Sequence, residues 1–126
     1  MSHDARPVYL NLIKIKLPIA GIISIFHRLT GALLFIAIPA SLYLLKMSVT
    51  DEQSFEQVVS LMTYPISRFL ILLVIWSFVH HLITGVRFLL IDMEFFLNRN
   101  ASRASAWGVV VIEAIVMATI IKGMFL

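Results

Sequence analysis

Three runs of apolar residues, at 18–45, 66–92 and 104–126, restrict this chain more than any other feature. A helix rises about 1.5 Å per residue, so about 20 apolar residues cross a hydrocarbon layer about 30 Å deep. Inside lipid the backbone must satisfy its own polar groups, which leaves helices or a closed barrel. A barrel would show alternating segments about ten residues long, and none is visible. The expected fold is all-α: a single membrane-anchor domain, 1–126, built as a bundle of three transmembrane helices.

Composition agrees. Of 126 residues, 60% are hydrophobic and only 13% are charged. A soluble domain of this length has no interior large enough for so much apolar surface. Soluble globular, disordered and nucleic-acid-binding classes are therefore excluded, and membrane lipid is the expected surrounding. The chain also has no cysteine. That removes disulfides, thiolate zinc, cysteine-held iron–sulfur clusters and covalently attached c-type haem.

Local signals refine the spans. Pro18 suits a first helical turn, Pro39 is expected to kink the first span, and Ser102 or Ser105 to cap the third. Segment 46–65 carries Asp51, Glu52 and Glu56 and reads as a polar connection with an interfacial turn. Segment 98–103 reads as a tight link. Arg6, Lys14 and Lys16 precede the first span, and Arg99 and Arg103 separate the second from the third. The positive-inside rule then puts the N-terminus and this link in the cytoplasm. The apolar run from Leu17 is interrupted by His27 and Arg28, so the first residues do not read as a cleaved leader. A bacterial inner membrane is the expected location.

Ionisable side chains inside a span are costly, about 2.5–3.5 kcal/mol each at the centre, so their alignment is informative. Ser24, His27, Arg28 and Gly31 share one wedge about 100° wide on the first helix. A fixed cation one turn from a hydroxyl suits an anionic or carbonyl-bearing ligand; the plainer reading has Arg28 reaching the headgroups. On the second span Ser77, His81, Thr84, Gly85, Phe88 and Asp92 share a face. An imidazole with glycine one turn on suits a haem, and equally suits a hydrogen-bonded helix contact. His80 and Arg87 lie on a separate flank, where packing is the expected role of His80. His27 and His81 come out about 13 Å and about 16 Å from the same membrane face, close enough to meet. Glu113, the acid of the third span, is expected to bond a neighbouring helix or hold a proton, with an ion pair to Arg28 as the alternative. Trp76 is expected to pack and Trp107 to sit in an interfacial belt.

Two motifs resemble a known family. Arg6-Pro7 followed by Ser24-Ile25-Phe26-His27-Arg28-Leu29-Thr30-Gly31 is similar to the N-terminal signature of the cytochrome b membrane-anchor subunit of succinate dehydrogenase, respiratory complex II. His81-Leu82-Ile83-Thr84-Gly85-Val86-Arg87, with Asp92 beyond, resembles that family's haem-ligand motif. The resemblance implies a haem b shared with a second membrane-anchor subunit, with His81 as one axial ligand of its iron. It further implies that Ser24, Arg28 and Asp92 serve ubiquinone binding, and that His27, Arg28 and Gly85 form the haem propionate side of the pocket. An iron–sulfur subunit and a flavoprotein subunit would complete the complex and oxidise succinate. Where family members often carry histidine after the motif arginine, this chain has Phe88, so no role of that histidine transfers. The competing readings are a fumarate reductase anchor using menaquinone, a small proton-coupled transporter built on Glu113 and Arg28, and an anchor without cofactor. A haem held within the chain between His27 and His81 is also open.

Overall fold

The structure is a computed structural model and describes residues 16–125. The expected roles of Arg6, Pro7 and Lys14 lie outside the described residues. Every regular element among the described residues is helical: α1 (Ile19–Ser48), α2 (Glu52–Thr63), α3 (Pro65–Asp92) and α4 (Arg99–Phe125). The three expected spans are α1, α3 and α4, each long and apolar enough to cross a membrane. The chain is a multi-pass membrane protein.

The ends of the helices follow from capping chemistry, and several differ from expectation. Pro18 stands just outside α1 as its N-cap with extended backbone (φ −66°, ψ 154°), one residue before the first turn. α1 continues through Pro39. The interfacial turn is a full helix, α2. Its N-cap is Asp51, whose carboxylate accepts from Ser54 N–H at 2.7 Å and from the Ser54 hydroxyl at 3.1 Å. Apolar Phe55, Val58, Val59 and Met62 recur at helical spacing behind that cap, a sign of an amphipathic helix. α2 rests against α1 and α3 with Val58 and Met62 half-buried.

The link between α3 and α4 is residues 93–98, as long as the expected 98–103 but five residues earlier. α3 closes in a Schellman turn, with Glu94 N–H donating to the Ile91 carbonyl (2.9 Å) and Phe95 N–H to the Leu90 carbonyl (3.0 Å). Glu94 takes the left-handed position, φ 68°, that glycine usually fills. α4 then starts at Arg99, because Asn98 Oδ1 accepts from Ala101 N–H at 2.7 Å. Neither Ser102 nor Ser105 is the cap; both lie inside the helix.

α1 packs along α3, α3 along α4, and α1 also meets α4. Ile23, Ala106 and Val109 are buried where α1 crosses α4, with Ile83 of α3 against them. Ala106 is fully buried, and its small side chain lets the backbones approach closely, as membrane helices require. Buried hydroxyls return to their own helix: Thr30 Oγ1 donates to the Phe26 carbonyl (2.8 Å) and Ser77 Oγ to the Leu73 carbonyl (2.8 Å). Most large apolar side chains point outward, among them Phe35, Ile36, Ile66 and Leu89. This is an inverted pattern for water and the normal one for lipid.

Candidate functional site

The seam between α1 and α3 brings two histidines together. The rings of His27 and His81 stack with centroids 4.1 Å apart and planes 7° from parallel. Their expected depths, about 3 Å apart, were close enough for this. Stacked faces leave no room for a flat tetrapyrrole between them, so a haem held within the chain by these two residues does not fit this arrangement. His81 Nδ1–H donates to the backbone carbonyl of His27 at 3.1 Å, and the Thr30 hydroxyl shares its one proton between that oxygen (3.0 Å) and the Phe26 carbonyl. A carbonyl only accepts, so the proton of His81 sits on Nδ1 and Nε2 carries the lone pair. Among the described residues no hydrogen bond engages that Nε2. Such a histidine, oriented through Nδ1 and free at Nε2, is what a metal ion takes as ligand.

Two glycines make the seam. Each lies four residues beyond the histidine of its own helix and faces the histidine of the other. A Cβ on Gly31 would stand 3.0 Å from His81 Cε1, and one on Gly85 would stand 3.5 Å from His27 Nε2. Gly31 is therefore what lets His81 reach the His27 carbonyl. Gly31→Ala is expected to displace the His81 ring and cost about 1–3 kcal/mol through overpacking, read as a lower denaturation temperature of the purified complex. His27 Nε2 is fully buried with no hydrogen-bond partner among the described residues. This orphaned nitrogen leaves a second hydrogen-bonding position at the same seam without a partner among the described residues. Phe88 packs edge-on to His27, with centroids 5.1 Å apart. Trp76 packs as expected, edge-on to Phe26 at 6.0 Å.

The flank of α3 that carries His80 and Arg87 turns to α4. His80 is not merely packed: its Nδ1 donates to Glu113 Oε2 at 2.9 Å, and the Thr84 hydroxyl lies 3.4 Å from its Nε2. Thr84 thus serves His80 rather than the face it shares with His81. Glu113 bonds a neighbouring helix as expected, and it does so through His80; the ion pair with Arg28 does not form. Arg87, also buried, donates from Nε to Ser105 Oγ (3.0 Å) and from Nη2 to the Ser102 carbonyl (3.1 Å) and hydroxyl (3.3 Å). Arg87→Met is expected to loosen the first turns of α4 and cost roughly 1.5–3 kcal/mol, since bonds from a charged donor are lost. Arg87→Lys is expected to recover only part, because an ammonium lacks the guanidinium fork. The yield of intact complex after solubilisation measures both.

The remaining expected site residues are placed but not joined. Arg28 is exposed on α1, Ser24 is half-buried one turn earlier, and Asp92 is exposed at the end of α3. No ion pair links Arg28 and Asp92 among the described residues. Sequence reasoning missed the bonding of His80 because its partner is 33 residues away.

Three long apolar spans, two of them bringing a pair of histidines together at one seam, define a multi-pass membrane protein. The chain belongs to the succinate dehydrogenase/fumarate reductase transmembrane subunit family, whose model matches residues 2–120. It is therefore a subunit of an oxidoreductase complex, as the motifs around His27 and His81 implied. It is 34% identical, over 90% of its own length and 93% of the relative's, to the succinate dehydrogenase cytochrome b556 subunit of Coxiella burnetii. It is 28% identical to the protein of that name from Rickettsia felis, over 86% of this chain and 85% of the relative, and 28% identical to the one from Rickettsia prowazekii over the same shares.

Proposed function

We propose that this chain is the cytochrome b anchor of a bacterial succinate dehydrogenase. It holds one haem b jointly with a second membrane-anchor subunit and forms part of the site where ubiquinone is reduced, beside the iron–sulfur subunit and its flavoprotein. The chain lies in the inner membrane with its N-terminus in the cytoplasm. The observation that carries this reading is His81, fixed through Nδ1 by the His27 carbonyl and, among the described residues, unengaged at Nε2. The relatives' name, cytochrome b556 subunit, supports a b-type haem and favours succinate dehydrogenase over a fumarate reductase anchor.

When bound, the haem supplies a one-electron carrier near the quinone. The chain's own contribution is position and charge. The carbonyl bond to His81 keeps the ring plane and the tautomer set. His27 Nε2 and the Arg28 guanidinium would offer polar contacts to the haem carboxylates, with Gly85, which lacks a side chain, lying against His27. The Ser24 hydroxyl hydrogen-bonds a quinone oxygen, and Arg28 stabilises negative charge developing there, where water is scarce and the interaction strong. Asp92 stands at the cytoplasmic rim, where protons enter. Succinate oxidation belongs to the other subunits.

A reduced-minus-oxidised spectrum of the purified complex tests the reading. A b-type α-band with one protohaem per complex is expected; a complex active with quinone but free of haem would overturn it. Extraction of the bound quinone separates ubiquinone from menaquinone.

A further inference from the structure

We propose that Glu113 is a positioning residue: by holding His80 it fixes the rotation of α3 and so decides which of two adjacent histidines is presented as the haem ligand. The inference rests on the assignment of His81 as axial ligand.

Consecutive residues of a helix point about 100° apart, so His80 and His81 cannot both face the α1 seam. His80 is 4% exposed and has both nitrogens occupied, Nδ1 by Glu113 at 2.9 Å and Nε2 by Thr84 at 3.4 Å. Its ring is enclosed by Trp76 (centroids 5.7 Å apart) and by Phe26 (6.1 Å). His81 has one nitrogen engaged and, among the described residues, one free. Turning α3 so that His80 entered the seam would leave the Glu113 carboxyl without a partner inside the membrane, where an unpaired acid is most costly. The same turn would pull Arg87 from Ser102 and Ser105. These two attachments to α4 lie seven residues apart on α3, about 10 Å along its axis, and together they resist rotation. Without Glu113 the upper attachment is gone, and the two histidines differ much less in what it costs to present them.

The test uses the complete complex, with the electron paramagnetic resonance signal of the oxidised haem and the rate of haem transfer to apomyoglobin as readouts. Glu113→Gln keeps an acceptor for His80 and is expected to preserve both. Glu113→Leu is expected to shift or split the low-spin signal and to speed haem loss about tenfold, the lower end of the effect of residues that orient a metal ligand. An unchanged signal and rate in Glu113→Leu would overturn the proposal. Should that variant fail to assemble, Glu113→Asp, whose carboxyl is one methylene shorter, provides the same comparison: a shifted signal supports positioning and an unchanged one refutes it. The double variant His80→Phe with Glu113→Leu removes the competing imidazole, so the original signal is expected to return; a signal that stays shifted or split there would overturn the proposal. His81→Leu, measured alongside, separates the two levels: haem retained there refutes the ligand assignment itself rather than the role of Glu113.

Discussion

A complex carrying His81→Leu is expected to lose its b-type haem while its subunits still assemble. Leucine is a strong helix former of comparable bulk, so α3 has no local reason to unwind. The His27 carbonyl keeps the Thr30 hydroxyl as donor at 3.0 Å, so the substitution leaves no orphaned acceptor in the seam. What disappears is a nitrogen of the α1–α3 seam that is oriented from behind and, among the described residues, free in front. Haem is the only thing that should notice. The α-band of the reduced-minus-oxidised spectrum reads the outcome. An unchanged band, in a complex of normal subunit content, would move the ligand to His27, since both nitrogens of His80 are already bonded.

The second large effect is expected at Arg28. Arg28→Ala should lower electron transfer from succinate to quinone by about 10²-fold, the usual loss when a charge-stabilising donor is removed from a water-poor site. Succinate oxidation with an artificial dye, which bypasses the membrane site, should persist. The separation is clean because Arg28 is exposed and, among the described residues, bonds to no other helix, unlike Arg87. If both activities fall together, Arg28 serves assembly; if neither falls, the quinone lies elsewhere. Ser24→Ala in the same assay should have a smaller effect in the same direction, as a neutral hydrogen bond contributes less than a charged one.

Much of this architecture was legible in the residues. The spans were readable because length and hydropathy are local quantities, and α1, α3 and α4 contain nearly all of the expected segments. Counting residues from the ends put His27 and His81 at one level, where the rings meet. Helix ends were read less well. The start of α4 was hidden because Arg99, Asn100 and Ser102 look like loop until Asn98 is recognised as a cap. α2 went unread because its acidic start outweighed the apolar period behind it. The motif arginine was visible; its two serine partners were not.

The bilayer-crossing lengths, the level of the two histidines and the presence of costly polar groups among apolar ones were set by the order of residues alone, since each depends only on near neighbours. Partnership was decided elsewhere. Whether His80 or His81 faces α1, that Glu113 meets His80 rather than Arg28, and that Arg87 grips α4 all depend on how each helix is turned about its own axis. That turn is chosen by side chains packing against helices distant in the chain, and no stretch of a single helix contains it.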